Sequence, residues 1–303
     1  MRCTLALAFV ASLLPAASPG ARADQTPEFT PSPTHTVYVS ATDRNGTSVL
    51  DLTGSDFAVK EGGKVREVLQ AGPATRPMKI AIVIDDNGTG IFRYGVGRFI
   101  QRLHGRAEFA LSTVAGQFLK ILDYTANGQE LGEALAQLVA RPGTADGGQL
   151  LEGIYETARD LERRKTDRAV IVVLTVGGEE HSSLPAHHVL EQLRKSGAAL
   201  HVVSVSSSAL RSMAAVDKPS ALLGENLNLN EVLGDGPKQS GGVRSEIVAT
   251  AGLVAGLQQL AETLLTQYAV EYVRPAGAKA DKLSVSVKRP GISVRAPVRI
   301  RDK

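Results

Sequence analysis

Apolar positions fall along this chain in two rhythms. Near each end they alternate with polar ones, as in strands with one wet face. Thr36-Val-Tyr-Val-Ser-Ala-Thr42 has period two, and Leu283, Val285 and Val287 alternate with Lys282, Ser284, Ser286 and Lys288. Ile80 to Ile84, by contrast, are apolar without alternation, as expected of a central strand covered on both faces. From Lys79 onward the pattern predicts strands near 79–85, 107–114, 117–123, 169–175, 199–205 and 267–273, and helices near 91–104, 128–139, 148–164, 185–196 and 252–266. The 107–114 and 117–123 segments flank Ala115-Gly116 and read as a hairpin that adds one antiparallel edge strand. The order is that of a doubly wound, mostly parallel α/β sheet, Rossmann-like in class. Residues 206–250, rich in Gly, Asn and Ser, read as one long irregular stretch.

The terminal β segments are too short to bury a face alone. Residues 35–75 and 275–303 are therefore expected to pack together as a small β module beside an α/β domain spanning 76–274. Asn45-Gly-Thr reads as a turn rather than a glycosylation acceptor.

Composition adds a compartment. Arg2, the apolar run Leu5 to Leu14 and the small-x-small triplet Ala21-Arg22-Ala23 form a secretory signal over residues 1–23, cut near Ala23/Asp24. The run is too short to span a bilayer, and no later stretch is longer. Residues 24–34 are a proline-bearing linker. Cys3 lies in the signal outside any lipobox, so the processed chain is expected to lack cysteine and to be secreted or periplasmic. Without the signal the net charge falls from +3 to near +1, which gives no electrostatic argument for nucleic acid. Lys282, Lys288, Arg289, Arg295, Arg299, Arg301 and Lys303 crowd the tail. They read as solvated edge charges, with weak, salt-sensitive contact to an anionic envelope as the other reading.

The chemistry gathers where the first apolar run ends. Asp85, Asn87 and Thr89 follow it at every second position, in a loop bearing Gly88 and Gly90. Oxygen-bearing side chains at that spacing can converge beyond a strand's carboxyl end and hold Mg²⁺. This segment resembles the first loop, Asp-x-Ser-x-Ser, of the metal-ion-dependent adhesion site of von Willebrand factor A domains. Over roughly residues 35–300 the chain is similar to the secreted, von Willebrand factor A-related proteins of acidobacteria, in which such a core lies between a β-rich segment and a basic β tail. The resemblance implies a three-loop metal site, and this copy departs from it. Asp85 matches, Thr89 is a conservative change and Asn87 replaces a serine. Gly147-Gly148-Gln149 stands for Gly-Gly-Thr, and Val176-Gly177 for Asp-Gly. A vestigial, metal-free site is expected, with Mg²⁺ or Ca²⁺ bound weakly or not at all. The resemblance also implies a partner-binding rim at the strand ends: Asp85, Asp86, Asn87, Thr89, Gln149, Val176, Glu179 and Glu180, joined by Thr144 onward and part of 206–245.

Asp85, Asp86, Glu179 and Glu180 sharing one rim would suit a divalent-cation-dependent binding protein or hydrolase; the plainer reading makes Glu179 and Glu180 exposed charges near the start of the following helix. Gly88-Thr-Gly90 imitates a dinucleotide loop, but Arg93 takes the third glycine's place and the acids would repel a pyrophosphate. Hydrolase elbow, zinc-helix and Walker patterns are absent. His187 and His188 are adjacent and face different ways on a helix, and His35, His104, His181 and His201 are read as structural or exposed. The expected function is thus non-catalytic and cofactor-free: an exported module that binds a protein partner. Asp85 is expected to accept loop N–H bonds, so that Asp85→Ala would cost about 1–2 kcal/mol.

Overall fold

The computed structural model describes residues 34–114, 116–139, 148–206, 227–275 and 281–300. The expected signal, most of the linker, Thr144 to Gly147, 207–226 and the last three residues of the basic tail lie outside these. The described elements are, in order, β1 (Thr34–Thr42), β2 (Phe57–Glu61), β3 (Lys64–Arg66), β4 (Val68–Pro73), β5 (Met78–Asp85), α1 (Arg93–Arg102), β6 (Ala107–Thr113), β7 (Leu119–Thr125), α2 (Gly128–Gln137), α3 (Leu150–Arg163), β8 (Ala169–Thr175), α4 (Ala186–Ser196), β9 (Ala199–Val205), α5 (Leu227–Ser240), β10 (Arg244–Ile247), α6 (Leu253–Leu265), β11 (Tyr268–Val273), β12 (Leu283–Val287) and β13 (Ser293–Arg295).

The central sheet has six strands in the order β10-β9-β8-β5-β6-β7, all parallel to their neighbours except β7 against β6. The fold class is therefore the mostly parallel α/β sheet that the apolar runs imply, antiparallel edge included. Helices cover both faces, which is why β5 and β8 need no polar alternation. Ile80, Ile82 and Ile84 pack with Phe99 of α1, Leu131 of α2 and Leu257 of α6. Val83, Ile171 and Val173 turn the other way, onto Ile154 of α3, Val189 of α4 and Val232 of α5. In α3, Leu150, Leu151, Ile154, Ala158 and Leu161 recur at helical spacing and are buried, while Glu156 and Arg159 bond each other on the outside. Each buried leucine or isoleucine contributes about 1.5–3 kcal/mol. Gly153 lets α3 lie close to the sheet: a Cβ there would meet Val114 Cγ1 at 2.8 Å, so even Gly153→Ala forces a shift.

Two segments differ from the expectation. Residues 268–273 do not extend the parallel sheet. β11 lies between β1 and β4 in a second, four-stranded sheet, order β13-β1-β11-β4, antiparallel to both neighbours. Its residues Tyr268, Val270 and Tyr272 are buried while Ala269, Glu271 and Val273 are not, the one-faced pattern of such a sheet. The α/β core therefore ends with α6, not at 274. The stretch 206–250, in turn, is not irregular where it is described. It carries α5, whose Val232 and Leu233 are buried, and β10, a polar edge strand beside β9.

Strands from both chain ends interleave in the β layer. β1 pairs with β13, and β2 pairs with β12 and β3 in a three-stranded sheet. Val37, Val39, Phe57, Val59, Tyr268, Tyr272 and Leu283 form their common core. The Tyr268 hydroxyl accepts from Leu52 N at 3.1 Å and donates to Val49 O at 2.9 Å. Two tail cations are tied down here: Arg289 to Asp51, and Lys288 to the carbonyl of Ser55.

Candidate functional site

The carboxyl ends of β5, β8 and β9 form one rim, and side-chain alternation decides what reaches it. Asp85 follows Ile84 and points to the α3 face, as Val83 does. Its register partner on β8 is Thr175, whose hydroxyl donates to Asp85 Oδ2 at 2.6 Å and accepts from Gly177 N at 2.9 Å. Val176, one residue on, points to the opposite face and packs against the apolar cluster beneath α1 and α6. Only its backbone meets Asp85, through Val176 N to Asp85 O at 3.0 Å. Thr175 is thus the functional neighbour that the sequence reading missed. The signal was present: it is the polar residue that closes the apolar run from Ala169 to Leu174.

The loop after β5 is organised by Asp86 rather than Asp85. Asp86 accepts Gly88 N at 3.0 Å on Oδ1 and Gly90 N at 2.7 Å on Oδ2. The loop N–H groups expected on Asp85 are therefore one residue away. Asn87 has φ +49, a left-handed conformation that asparagine tolerates, and its amide donates to Gly177 O at 2.9 Å. Thr89 Oγ1 is buried without a hydrogen-bond partner among the described residues.

Glu180 also differs from expectation. Instead of standing near the helix that follows it, its carboxylate reaches back to α3, accepting Leu150 N at 3.0 Å and Leu151 N at 3.3 Å. It supplies the cap that Gln149, at the N-cap position, does not make. Ser182 and Glu152 complete the clamp, with Glu152 N donating to Ser182 Oγ and Ser183 N to Glu152 Oε1. Gly148 N to Glu179 O and His181 N to Gly148 O, both 2.8 Å, stitch the loops together. The Glu179 side chain stays exposed, with its carboxylate 3.9 Å from His181 Nε2.

Burial dominates the electrostatics. Asp85 is 7% exposed, and loss of solvent pushes its pKa up to about 6; the Thr175 hydrogen bond opposes the shift, and the negative charges of Glu180 and Asp86 add to it. Burial likewise raises the pKa of Glu180, against the bonds it accepts from Ser182 and from the α3 backbone. The rim does bring Asp85, Asp86 and Glu180 into mutual range.

The donor set does not fit Mg²⁺, which demands a near-octahedral shell of oxygens. Asp86 spends both oxygens on backbone N–H groups, Asn87 turns its amide nitrogen to Gly177, and Val176 turns its side chain away to pack against the core. Among the described residues no three His, Cys, Asp or Glu side chains cluster in metal-holding geometry. Asp85 and Thr89 remain as the groups whose polarity the protein itself leaves largely unanswered.

No family model matches the chain, and neither does any curated protein. Among solved structures it is similar to a von Willebrand factor type A protein from Catenulispora acidiphila, at 12% identity over 90% of this chain and 75% of that one, with a TM-score of 0.45. It is also similar to proximal thread matrix protein 1 from the mussel byssus, in a form with a zinc-occupied MIDAS motif, at 14% identity over 68% and 49% of the two chains, TM-score 0.47. A third likeness is to the PilB minor pilin of Streptococcus sanguinis, at 11% identity over 64% and 62%, TM-score 0.40. The chain spans about half the length of the mussel protein. At these scores the likenesses carry nothing about function, and the fold class rests on the strand order given above.

Proposed function

We propose that this chain is an exported, non-catalytic protein-interaction module on a von Willebrand factor A-like core, whose rim receives a cationic side chain of its partner. The carrying observation is Asp85: a buried carboxylate with one hydrogen-bond donor, two further carboxylates in range and no cation beside it among the described residues. A charge kept in such a place costs stability, and sites that do so are commonly functional. A lysine or arginine entering the rim would neutralise it. Apolar anchors flank the same edge of the sheet. Tyr94, at the start of α1, is 70% exposed, and Val248, just beyond β10, is 77% exposed. Exposed aromatic and apolar side chains around a buried polar contact are the usual make-up of a protein-binding centre. The non-catalytic reading is supported by the sequence, which carries no hydrolase elbow, zinc-helix or Walker pattern. The signal pattern at Arg2, Leu5 to Leu14 and Ala21 to Ala23 supports export.

Otherwise identical peptides carrying lysine, acetyl-lysine or glutamate test the reading. The lysine peptide should bind best, more tightly as pH rises through about 6 and Asp85 ionises, and Asp85→Asn should remove the preference. Equal binding of all three, or a lysine preference that survives Asp85→Asn, would sink it. Thr89 Oγ1 favours a second reading, in which Ca²⁺ is the cation that answers Asp85, since Ca²⁺ accepts looser coordination than Mg²⁺. Calorimetric titration with Mg²⁺, Mn²⁺ and Ca²⁺ decides it: micromolar affinity lost in Asp85→Asn would favour the metal.

A further inference from the structure

At the opposite, amino-terminal edge of the central sheet lies a cavity of about 300 Å³, between β1, the start of β8, the end of α4 and residues 297–300. This is the lower end of the size range of small-molecule sites. Its wall is apolar at Val37, Val170, Leu193, Ala198 and Ile300, and basic at Arg168 and Arg299.

Arg168 gives the cavity its character. It is 4% exposed, yet no carboxylate pairs with it among the described residues. Its guanidinium is held by neutral groups: Nη1 donates to Ala74 O at 3.2 Å and Arg76 O at 3.0 Å, and Nη2 to Leu264 O at 2.6 Å and Gln267 Oε1 at 2.9 Å. The charge centre lies 5.1 Å from the Tyr38 ring, and Nε is buried with no partner among the described residues. Buried guanidinium groups are ordinarily matched by an anion. Two acids do line the cavity, but each has another partner: Asp167 is paired with Arg76, and Glu271 accepts from Gln70. Arg299 is exposed at the cavity mouth and makes no ion pair among the described residues.

We propose that this cavity binds a small amphiphilic organic anion, its acidic head held in the field of Arg168 and Arg299 and its apolar body against Val170, Leu193 and Ile300. The head answers the buried cation that the protein leaves unmatched, and charge-assisted contacts to arginine fix it in place. The apolar wall distinguishes such a ligand from inorganic phosphate, which would desolvate it for no gain.

Octanoate and benzoate are the probes, a flexible and a compact carboxylate, with octylammonium and inorganic phosphate as controls, on the full chain. Binding is read as a saturable rise in melting temperature, because a ligand that prefers the folded state stabilises it in proportion to occupancy. At least one carboxylate should give that rise, and neither control should match it. Arg299→Glu should weaken binding by about tenfold or more, and Val298→Trp, which places a ring at the cavity wall, should abolish it. Asp85→Asn, at the other end of the sheet, should bind as the parent does, which separates this site from the rim. No response to either carboxylate, an equal response to octylammonium or phosphate, or unchanged binding in Arg299→Glu or Val298→Trp would each overturn the proposal.

Discussion

At the carboxyl ends of the parallel strands a buried Asp85 is held by one hydroxyl; at their amino ends a buried Arg168 is held by three carbonyls and an amide. Both lack an opposite charge among the described residues, and burial moves both toward neutrality, Asp85 up to about 6 and Arg168 down to about 10. Arg168 is pushed further down by the nearby charge of Arg106 and back up by Tyr38. The difference lies in the number of dipoles arranged around each. Four acceptors turn the guanidinium into a staple that joins the chain before β5 to the end of α6. A single donor leaves the carboxylate an open valence. Like burial of like-sized charge thus yields a structural element at one end and a titratable one at the other.

The comparison breaks most readily at Arg168. Arg168→Met strands three carbonyls and the Gln267 amide, and should cost on the order of 4 kcal/mol in chemical denaturation. Arg168→Lys should recover little of that, because an ammonium cannot span the same acceptors.

His201, near the amino end of β9, gives the next largest effect. It is 1% exposed, neither ring nitrogen has a partner among the described residues, and burial, reinforced by Arg295, lowers its pKa to about 4. The unfolded value is about 6.5, so the unfolded chain binds the proton first. The stability of the neutral form is fully present above pH ~6.5 and is lost as pH falls through about 4, in total about 3 kcal/mol. His201→Leu strands no hydrogen bond and should flatten this acid limb of the stability profile.

Asp85 works in the reverse sense. Its folded pKa, about 6, lies above the unfolded value of about 3.9, so its contribution is full below pH ~4 and is lost as pH rises through 6. Asp85→Asn keeps an acceptor for Thr175 and removes the charge, so it should be more stable than the parent at pH 7 by about 2–3 kcal/mol. The gain should vanish by pH ~4 in paired denaturation curves.

Glu180→Ala carries the smallest effect. It removes the acceptor for Leu150 N and Leu151 N and should cost about 1 kcal/mol. Hydrogen exchange at those two amides should quicken more than at the middle of α3.

These cases mark where the sequence is legible. The core strands and most helices could be read because apolar spacing is local: β5, β8 and α3 lie within a few residues of their expected bounds. β11 was misplaced, although Tyr268, Val270 and Tyr272 already alternate in a way that a strand covered on both faces has no need to. α5 escaped because Gly234, Gly236 and Pro237 lie inside it. Gly236 packs closely, since a Cβ there would meet Leu200 Cδ2 at 2.7 Å and displace that side chain. At the rim, Asp85 was legible and its surroundings were not. Whether residue 175 or 176 faces it depends on strand parity at one position, and the reach of Glu180 back to α3 depends on tertiary closure. Arg168 carried no local signal at all, because its partners lie 92 to 99 residues away.

The interleaving of both chain ends in the β layer has a consequence for how the molecule is made. β1 is complete before residue 43, but its partners β11 and β13 lie more than 220 residues further on. Apart from the local turn that ties Ala41 to Val49, a nascent chain therefore carries β1 without its strand partners through the whole synthesis of the α/β core. Closing a loop of that length in an unfolded chain is entropically costly and slow. A folded core shortens the effective loop, because β4 leads directly into β5 and α6 directly into β11, so the core delivers both flanking strands already close together. Folding of the core first, then docking of the terminal strands in one late step, is the kinetic order that this topology imposes.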